Sequence, residues 1–467
     1  MTLTRLSAED AAILALESPT IAGHTCKILL LAPPGPGVAK LDLNALRERI
    51  AAGLHLAPRL RQRPVSTPLG LGRPAWVDDE AFDLARHVRR APVADGPLDE
   101  ERLRAAAAQA MEQRLDRDRP LWTLDVIEPR DGGPGALIWK LHHSLADGTE
   151  ALRLADAILW DPDPAAPHGP APPWRPAPAP TTAGLVAAAV RERTTDIAND
   201  VAGAARGVLS PAAWRATAGQ ARRLPGAIAR DLLPERFASP LDARPGVRRE
   251  VAFAAVPLED LKRIEHAQPQ RTTVNDVLLA LVAGALRRWI AHHGGVGHEL
   301  RVKVPVSLHD RHAHPDALAN HDSFLCVALP LDEEDSVARL QRIAAETGAC
   351  KRQHDPETLD VLFRDLRHAP RPVARLAARL AAGPRAFGLE VSNVPGPADP
   401  RWVLGSPVTA LRSLAEIGER HALRVTAVSL DGTVHLGLCA DAAAVQDVSV
   451  LAAGMQAEAA ELLRLSG

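Results

Sequence analysis

Apolar and polar residues along the chain follow two different periods. Residues 44–54 and 99–115 repeat apolar side chains at helical spacing, whereas 25–31 and 136–141 are short apolar runs of the kind that form buried strands. The alternation stops at residues 161–182, where nine prolines remove backbone donors and fix φ, so an extended, mobile linker is expected. Residues 183–233 then read as helix, with Arg206, Arg215, Arg222, Arg223 and Arg230 among Ala, Val and Leu. Such a face fits either a solvated connector or a basic surface lying on anionic lipid. Strand and helix patterns return beyond it, with strands at 250–256, 300–306 and 324–329 and a helix at 274–290. Two further strands, 423–429 and 433–439, flank Leu430-Asp431-Gly432, a hairpin signal. The pattern predicts an N-terminal α/β domain over 1–160, the linker at 161–182, a helical connector over 183–247 and a second α/β domain over 248–467.

Length and charge narrow the function class. The chain's 467 residues exceed one ordinary core, which excludes a mini-protein or lone interaction module. With 55 Lys+Arg against 57 Asp+Glu, no basic excess argues for nucleic acid. Cys26, Cys326, Cys350 and Cys439 have neither disulfide-framework nor zinc-site spacing, which fits a reducing, cytoplasmic compartment and no metal. The longest apolar run, 277–286, is too short for a membrane span.

The sharpest local feature is LHHSLADGTEALRL, where the apolar run 136–141 ends in His142-His143 and Asp147-Gly148 opens a helix. A strand end projects a side chain from a rigid support, and histidine titrates near neutrality, so His143 is a candidate general base. Asp147-Gly-Thr-Glu150 also matches a capping box, so Asp147 has a structural reading that is compatible with aiming the histidine. Gly148 relieves crowding at the turn. His292-His293-Gly294 pairs histidines too, but follows a helix and precedes a glycine stop, which reads as a C-terminal cap.

HHSLADG at 142–148 fits the HHxxxDG signature of the chloramphenicol acetyltransferase/condensation-domain superfamily. The chain as a whole resembles the bacterial wax ester synthase/diacylglycerol acyltransferase family. The resemblance rests on LSAED near the start, GRPAWVDDEAFDLARHV at 72–88, LDRDRPLW at 115–122, NDVLLA at 275–280, VPVSL at 304–308 and VSNVPGP at 391–397. It implies two similar chloramphenicol-acetyltransferase-like α/β domains with an active-site channel between them. It also implies direct acyl transfer from acyl-CoA to diacylglycerol, with long-chain alcohols as second acceptors. His143 is then the base, while His142, Asp147 and Gly148 organise the loop. Asn275 is either a helix N-cap or a donor to the thioester oxyanion. Pro120, Leu121, Trp122, Asp276, Ser392 and Asn393 are candidates for the substrate channel. No cofactor beyond the acyl-CoA co-substrate is implied, and a peripheral place on the inner membrane face or on lipid droplets is expected. Two other readings share the motif: a superfamily enzyme acting on a carrier-bound or polyketide acceptor, and a non-catalytic lipid-surface protein. Against the family pattern, Leu430 stands where an aromatic is usual, and 237–242 read FASPLD where an Asn is common ahead of Pro-Leu.

Overall fold

The predicted strands fall in two mixed sheets, 25–31, 136–141, 300–306, 423–429 and 433–439 as inner strands and 250–256 and 324–329 at the edges of the second sheet. The computed structural model describes residues 3–36, 41–93, 96–163, 169–208, 239, 241–307, 322–352 and 387–466. Its strands are β1 (His24–Leu31), β2 (Gln62–Val65), β3 (Ala75–Asp78), β4 (Val88–Arg90), β5 (Trp122–Ile127), β6 (Gly135–His142), β7 (Arg249–Pro257), β8 (Glu299–Ser307), β9 (Asp322–Pro330), β10 (Leu389–Val394), β11 (Trp402–Val403), β12 (Ser406–Ala415), β13 (Leu423–Leu430) and β14 (Thr433–Asp441). The helices are α1 (Ala8–Ala15), α2 (Leu43–Gly53), α3 (Leu84–His87), α4 (Glu100–Glu112), α5 (Gly148–Ile158), α6 (Thr182–Val208), α7 (Leu258–His266), α8 (Val274–His292), α9 (Ser336–Arg352) and α10 (Val448–Leu465).

One six-stranded sheet runs β11-β12-β1-β6-β5-β4 and the other β7-β14-β13-β10-β8-β9, with β2-β3 as a separate pair. The first sheet thus takes β11 and β12 from the stretch expected in the second domain, and the two halves interlock. The sequence offers no local cue for this crossover, because β12 pairs with β1 nearly 390 residues away (Cys26 with Leu414). The predicted hairpin is present: Asp431 and Gly432 both have positive φ, 44° and 73°, as a two-residue turn matched to strand twist requires.

Close backbone approach ties the sheets together. A Cβ on Gly437 of β14 would lie 1.9 Å from the Ser413 carbonyl oxygen of β12, and Thr426 Oγ1 donates to that same oxygen at 2.6 Å. Arg249 of β7, itself buried, pairs with Glu416 at 3.0 Å. In the C-terminal half, α8 is buried on every side from Asp276 to Leu286, so its apolar residues show no stripe. Leu430 is 2% exposed and joins the N-terminal core across the junction.

Within the proline-rich stretch, 169–181 has neither helix nor strand, as its composition predicts, whereas buried Asp161 bridges to Trp402 and pairs with Arg49 at 2.9 Å, and Thr182 already belongs to α6. The stretch is pinned, however, and the expectation of a mobile tether is corrected. Ala177 N donates to Asp78, Ala179 N donates to Glu80, and the Trp174 ring lies under the Arg61 guanidinium at 4.4 Å. The first turns of α6 continue this docking through buried Leu185 and through Glu192, which pairs with Arg5 at 2.9 Å. Arg215, Arg222, Arg223 and Arg230 of the basic stretch, and His312 and His314, lie outside the described residues.

Candidate active site

β6 is buried along its whole length between β1 and β5, and it delivers His142-His143 at a fixed height. His142 N donates to Leu121 O at 2.9 Å, and His143 N donates to Gly23 O at 2.8 Å. The Pro-Leu-Trp motif is therefore a support for the histidine strand. Leu121 and Trp122 are fully buried, Trp122 Nε1 donates to Leu60 O at 2.8 Å, and its ring stacks on His87 at 4.7 Å. Pro120 is buried beside them.

His142 is held from both sides of its ring. Ser144 N and the Ser144 hydroxyl approach Nδ1 at 3.1 and 2.6 Å, which makes Nδ1 the acceptor, and Nε2 lies 2.9 Å from Glu17 Oε1. Arg114 and Arg117 hold the same carboxylate. Burial raises the Glu17 carboxyl, but the hydrogen bonds from His142 and Arg117 outweigh it and hold the group below its usual range. Gly23, at φ +67°, lies where a Cβ would meet His142 Nε2 at 2.8 Å. His142 thus braces the backbone that carries its neighbour.

His143 is only partly exposed, and its Nδ1 is buried with no hydrogen-bond partner among the described residues. Its imidazole is pushed down to about 4 from 6.5, first by burial and then by the Arg424 charge, against opposing contributions from Asp147 and Glu390. A ring in this state is neutral at pH 7 and ready to accept a proton. Asp147 caps α5, accepting from Glu150 N at 2.7 Å.

Gly148 explains itself across the domain junction. A Cβ there would lie 2.7 Å from Val394 Cγ2, at the end of β10. The next residue back, Asn393, donates from Nδ2 to Asn275 Oδ1 at 2.7 Å. The histidine motif, Ser392-Asn393-Val394 and the start of α8 are therefore contiguous. Asn275 is not the N-cap: Thr273 is, in a capping box with Asp276. With its oxygen occupied by Asn393, the exposed Asn275 side chain has its amide N–H groups left to donate. Asp276 is 3% exposed, and its two oxygens accept from Thr273 and from Thr347 Oγ1, so it anchors α8 to α9 rather than facing a channel. Ser392 pairs in register with Thr426 of β13 and is partly exposed.

Sequence reading missed Glu17, Gly23 and a charged cluster on the second sheet. Arg424 donates to Glu390 at 2.6 Å, and Lys303 lies 3.8 Å from the same carboxylate. Burial raises the Glu390 carboxyl, but Arg424 and Lys303 hold it below its usual range. Lone charges inside otherwise apolar strands were the available signal. His293 is the C-cap of α8, with Nδ1 2.8 Å from Trp289 O. Among the described residues no cluster of His, Cys, Asp or Glu could hold a metal ion.

The profile of the wax ester synthase/diacylglycerol acyltransferase catalytic domain matches residues 6–278, and that of the family's C-terminal domain matches 318–463. The chain belongs to the wax ester synthase/diacylglycerol acyltransferase family. It is accordingly an acyltransferase of the diacylglycerol/wax ester type. A Mycobacterium tuberculosis protein named as a diacylglycerol O-acyltransferase is 32% identical over 99% of this chain and 97% of its own. A second protein of that organism, named likewise, is 30% identical over 92% of each chain. The fold is that of the wax ester synthase/diacylglycerol acyltransferase of Marinobacter aquaeolei, with TM-score 0.68 and 22% identity over 99% of this chain and all of that one. The first condensation domain of a calcium-dependent antibiotic synthetase shares it more loosely, with TM-score 0.56 and 18% identity over 100% of this chain and 96% of that one. For this member of the acyltransferase family, the expected two-domain α/β architecture is thereby confirmed.

Proposed function

We propose that this acyltransferase moves a long-chain fatty acyl group from acyl-CoA to the hydroxyl of diacylglycerol, and secondarily to long-chain alcohols, with His143 as general base. The observation that carries this reading is the placement of His143 at the end of buried β6, its N–H held by Gly23 O at 2.8 Å, in a motif whose Gly148 packs against Val394 of the second half. His143 Nε2 takes the acceptor's hydroxyl proton, Nδ1 being buried, while the oxygen attacks the thioester carbonyl. The carbonyl oxygen gains negative charge, and the free amide N–H of Asn275 is the donor for it. Collapse of the tetrahedral adduct expels the thiolate of coenzyme A, which recovers the proton from the imidazolium. Ester and thiol leave, and His143 is neutral again. No acyl-enzyme forms, which accords with Cys26 and Cys439, whose thiols burial pushes up, to about 12 for Cys26.

Acceptor and product are both apolar, so we place the reaction at a lipid surface reached peripherally; among the described residues no helix is long and apolar enough to cross a membrane. The test is to incubate the purified protein with labelled palmitoyl-CoA and, separately, diacylglycerol, hexadecanol or no acceptor, and to resolve the lipids. Labelled triacylglycerol, with less wax ester, is expected. Label in neither lipid would overturn the assignment.

A further inference from the structure

At the open edge of the first sheet, β4 pairs only with Leu124–Val126 of β5, and at Trp122 the main chain is met by the His87 ring instead of by a strand. A pocket of about 310 Å³ lies there. Its wall carries Arg86, Arg89, Arg114, Arg119 and Lys140, against the single carboxylate of Asp116. The arginines each have a partial counter-charge: Asp83 for Arg86, Asp125 for Arg89, Glu17 for Arg114 and Asp116 for Arg119. Lys140 has none. It is 1% exposed, its Nζ donates to the backbone carbonyls of Ala110 and Gln113, and no carboxylate among the described residues pairs with it. Three ammonium donors thus meet two neutral acceptors, in a place where a buried charge is costly without an opposite one.

We propose that this pocket is a second binding site, separate from the His143 site, that takes a phosphate group. Its several oxygens can accept from Lys140 and from the forks of arginines lining the rim, a match that a single carboxylate fills less completely. A volume near 300 Å³ accommodates a phosphate with part of its carrier. Two sources have this chemistry: the phosphates of a coenzyme A thioester, and the headgroup of an anionic phospholipid. Lys140 shares its β6 face with His142, two residues and so about 7 Å along the strand. Arg114 reaches from its wall to Glu17, the carboxylate that holds His142.

The test reads binding without turnover, so it stands apart from the acyl-transfer assignment. The full chain is titrated calorimetrically with inorganic phosphate, coenzyme A and the phosphate-free arm, pantetheine, and is co-sedimented with phosphatidylglycerol and with phosphatidylcholine vesicles. The same series is run on the doubly substituted Arg86→Gln, Arg119→Gln protein, whose altered side chains are exposed or nearly so and outside the His143 site. Phosphate and at least one phosphate carrier should bind the unaltered protein, more weakly as salt rises. The double variant should lose about tenfold in affinity for that carrier. A loss seen with coenzyme A and not with vesicles assigns the donor's phosphates, and the reverse assigns lipid headgroups; either supports the site. Absence of binding by all phosphate-bearing probes, or equal affinities in a double variant with an unchanged unfolding midpoint, overturns it.

Discussion

Gly148→Ala is the perturbation whose size the structure sets most directly. The added Cβ would stand 2.7 Å from Val394 Cγ2, whereas carbon pairs rest at about 3.7 Å, so α5 and the end of β10 must part by roughly 1 Å. Val394 is β-branched and stiff, so it yields little by rotating. Overpacking of this kind costs about 1–3 kcal/mol, partly offset by up to about 1 kcal/mol of helix propensity gained from alanine. Stability should therefore fall by only about 0–3 kcal/mol, and activity is the sensitive readout. A 1 Å displacement between the histidine loop and the Asn393–Asn275 pair should lower kcat about 100-fold. The assay is kcat with labelled acyl-CoA alongside urea unfolding, in Gly148→Ala, Val394→Ala and the double variant. Removing the valine methyls should restore most of the loss, giving a large coupling in the double-mutant cycle. Wild-type kcat in Gly148→Ala, or additive effects in the cycle, would refute the argument that this glycine exists for the junction.

Glu458 is fully buried between Arg339 at 2.5 Å and Arg288 at 2.6 Å, so Glu458→Ala should destabilise by about 3–5 kcal/mol in urea unfolding, through the guanidinium left uncompensated. Glu17→Ala should lower kcat more than it raises KM, because it frees His142 without touching the acceptor, and Glu17→Gln, which can still accept from Nε2–H, should recover part of the rate. With His143 at about 4 in the fold and near 6.5 unfolded, the unfolded chain binds the extra proton between those values. That contribution is fully present above pH 6.5 and is lost as pH falls toward 4, on the order of 3 kcal/mol, and His143→Asn should flatten the dependence in urea midpoints taken across the window. The acid limb of kcat/KM should likewise fall near pH 4 and not near 6.5.

Inner strands and buried helices were legible because their periodicity is local: the expected strand at 136–141 became Gly135–His142 and the expected helix at 274–290 became Val274–His292. The crossover of β12 was not, since nothing near Ser406–Ala415 encodes a partner at the other end of the chain. The linker prolines report correctly that no ladder can form, but they carry no information on whether Asp78 and Glu80 will satisfy the remaining N–H groups. At the site, the HHxxxDG spacing pointed to His143, while the partners that tune it, Arg424 and Glu390, come from strands brought opposite it only by tertiary packing. Asn275 was misjudged as a possible N-cap because Thr273 two residues earlier takes that position with Asp276 as its partner.

The central claim is that His143 is the proton acceptor, and replacing it is the most direct measurement. General-base catalysis contributes about 10²–10⁴-fold, or roughly 3–5 kcal/mol of barrier. His143→Ala, assayed with labelled palmitoyl-CoA and diacylglycerol, should lose turnover by that factor and keep a cooperative unfolding transition with a near-normal midpoint. Near-normal acyl transfer by the folded variant would contradict the account.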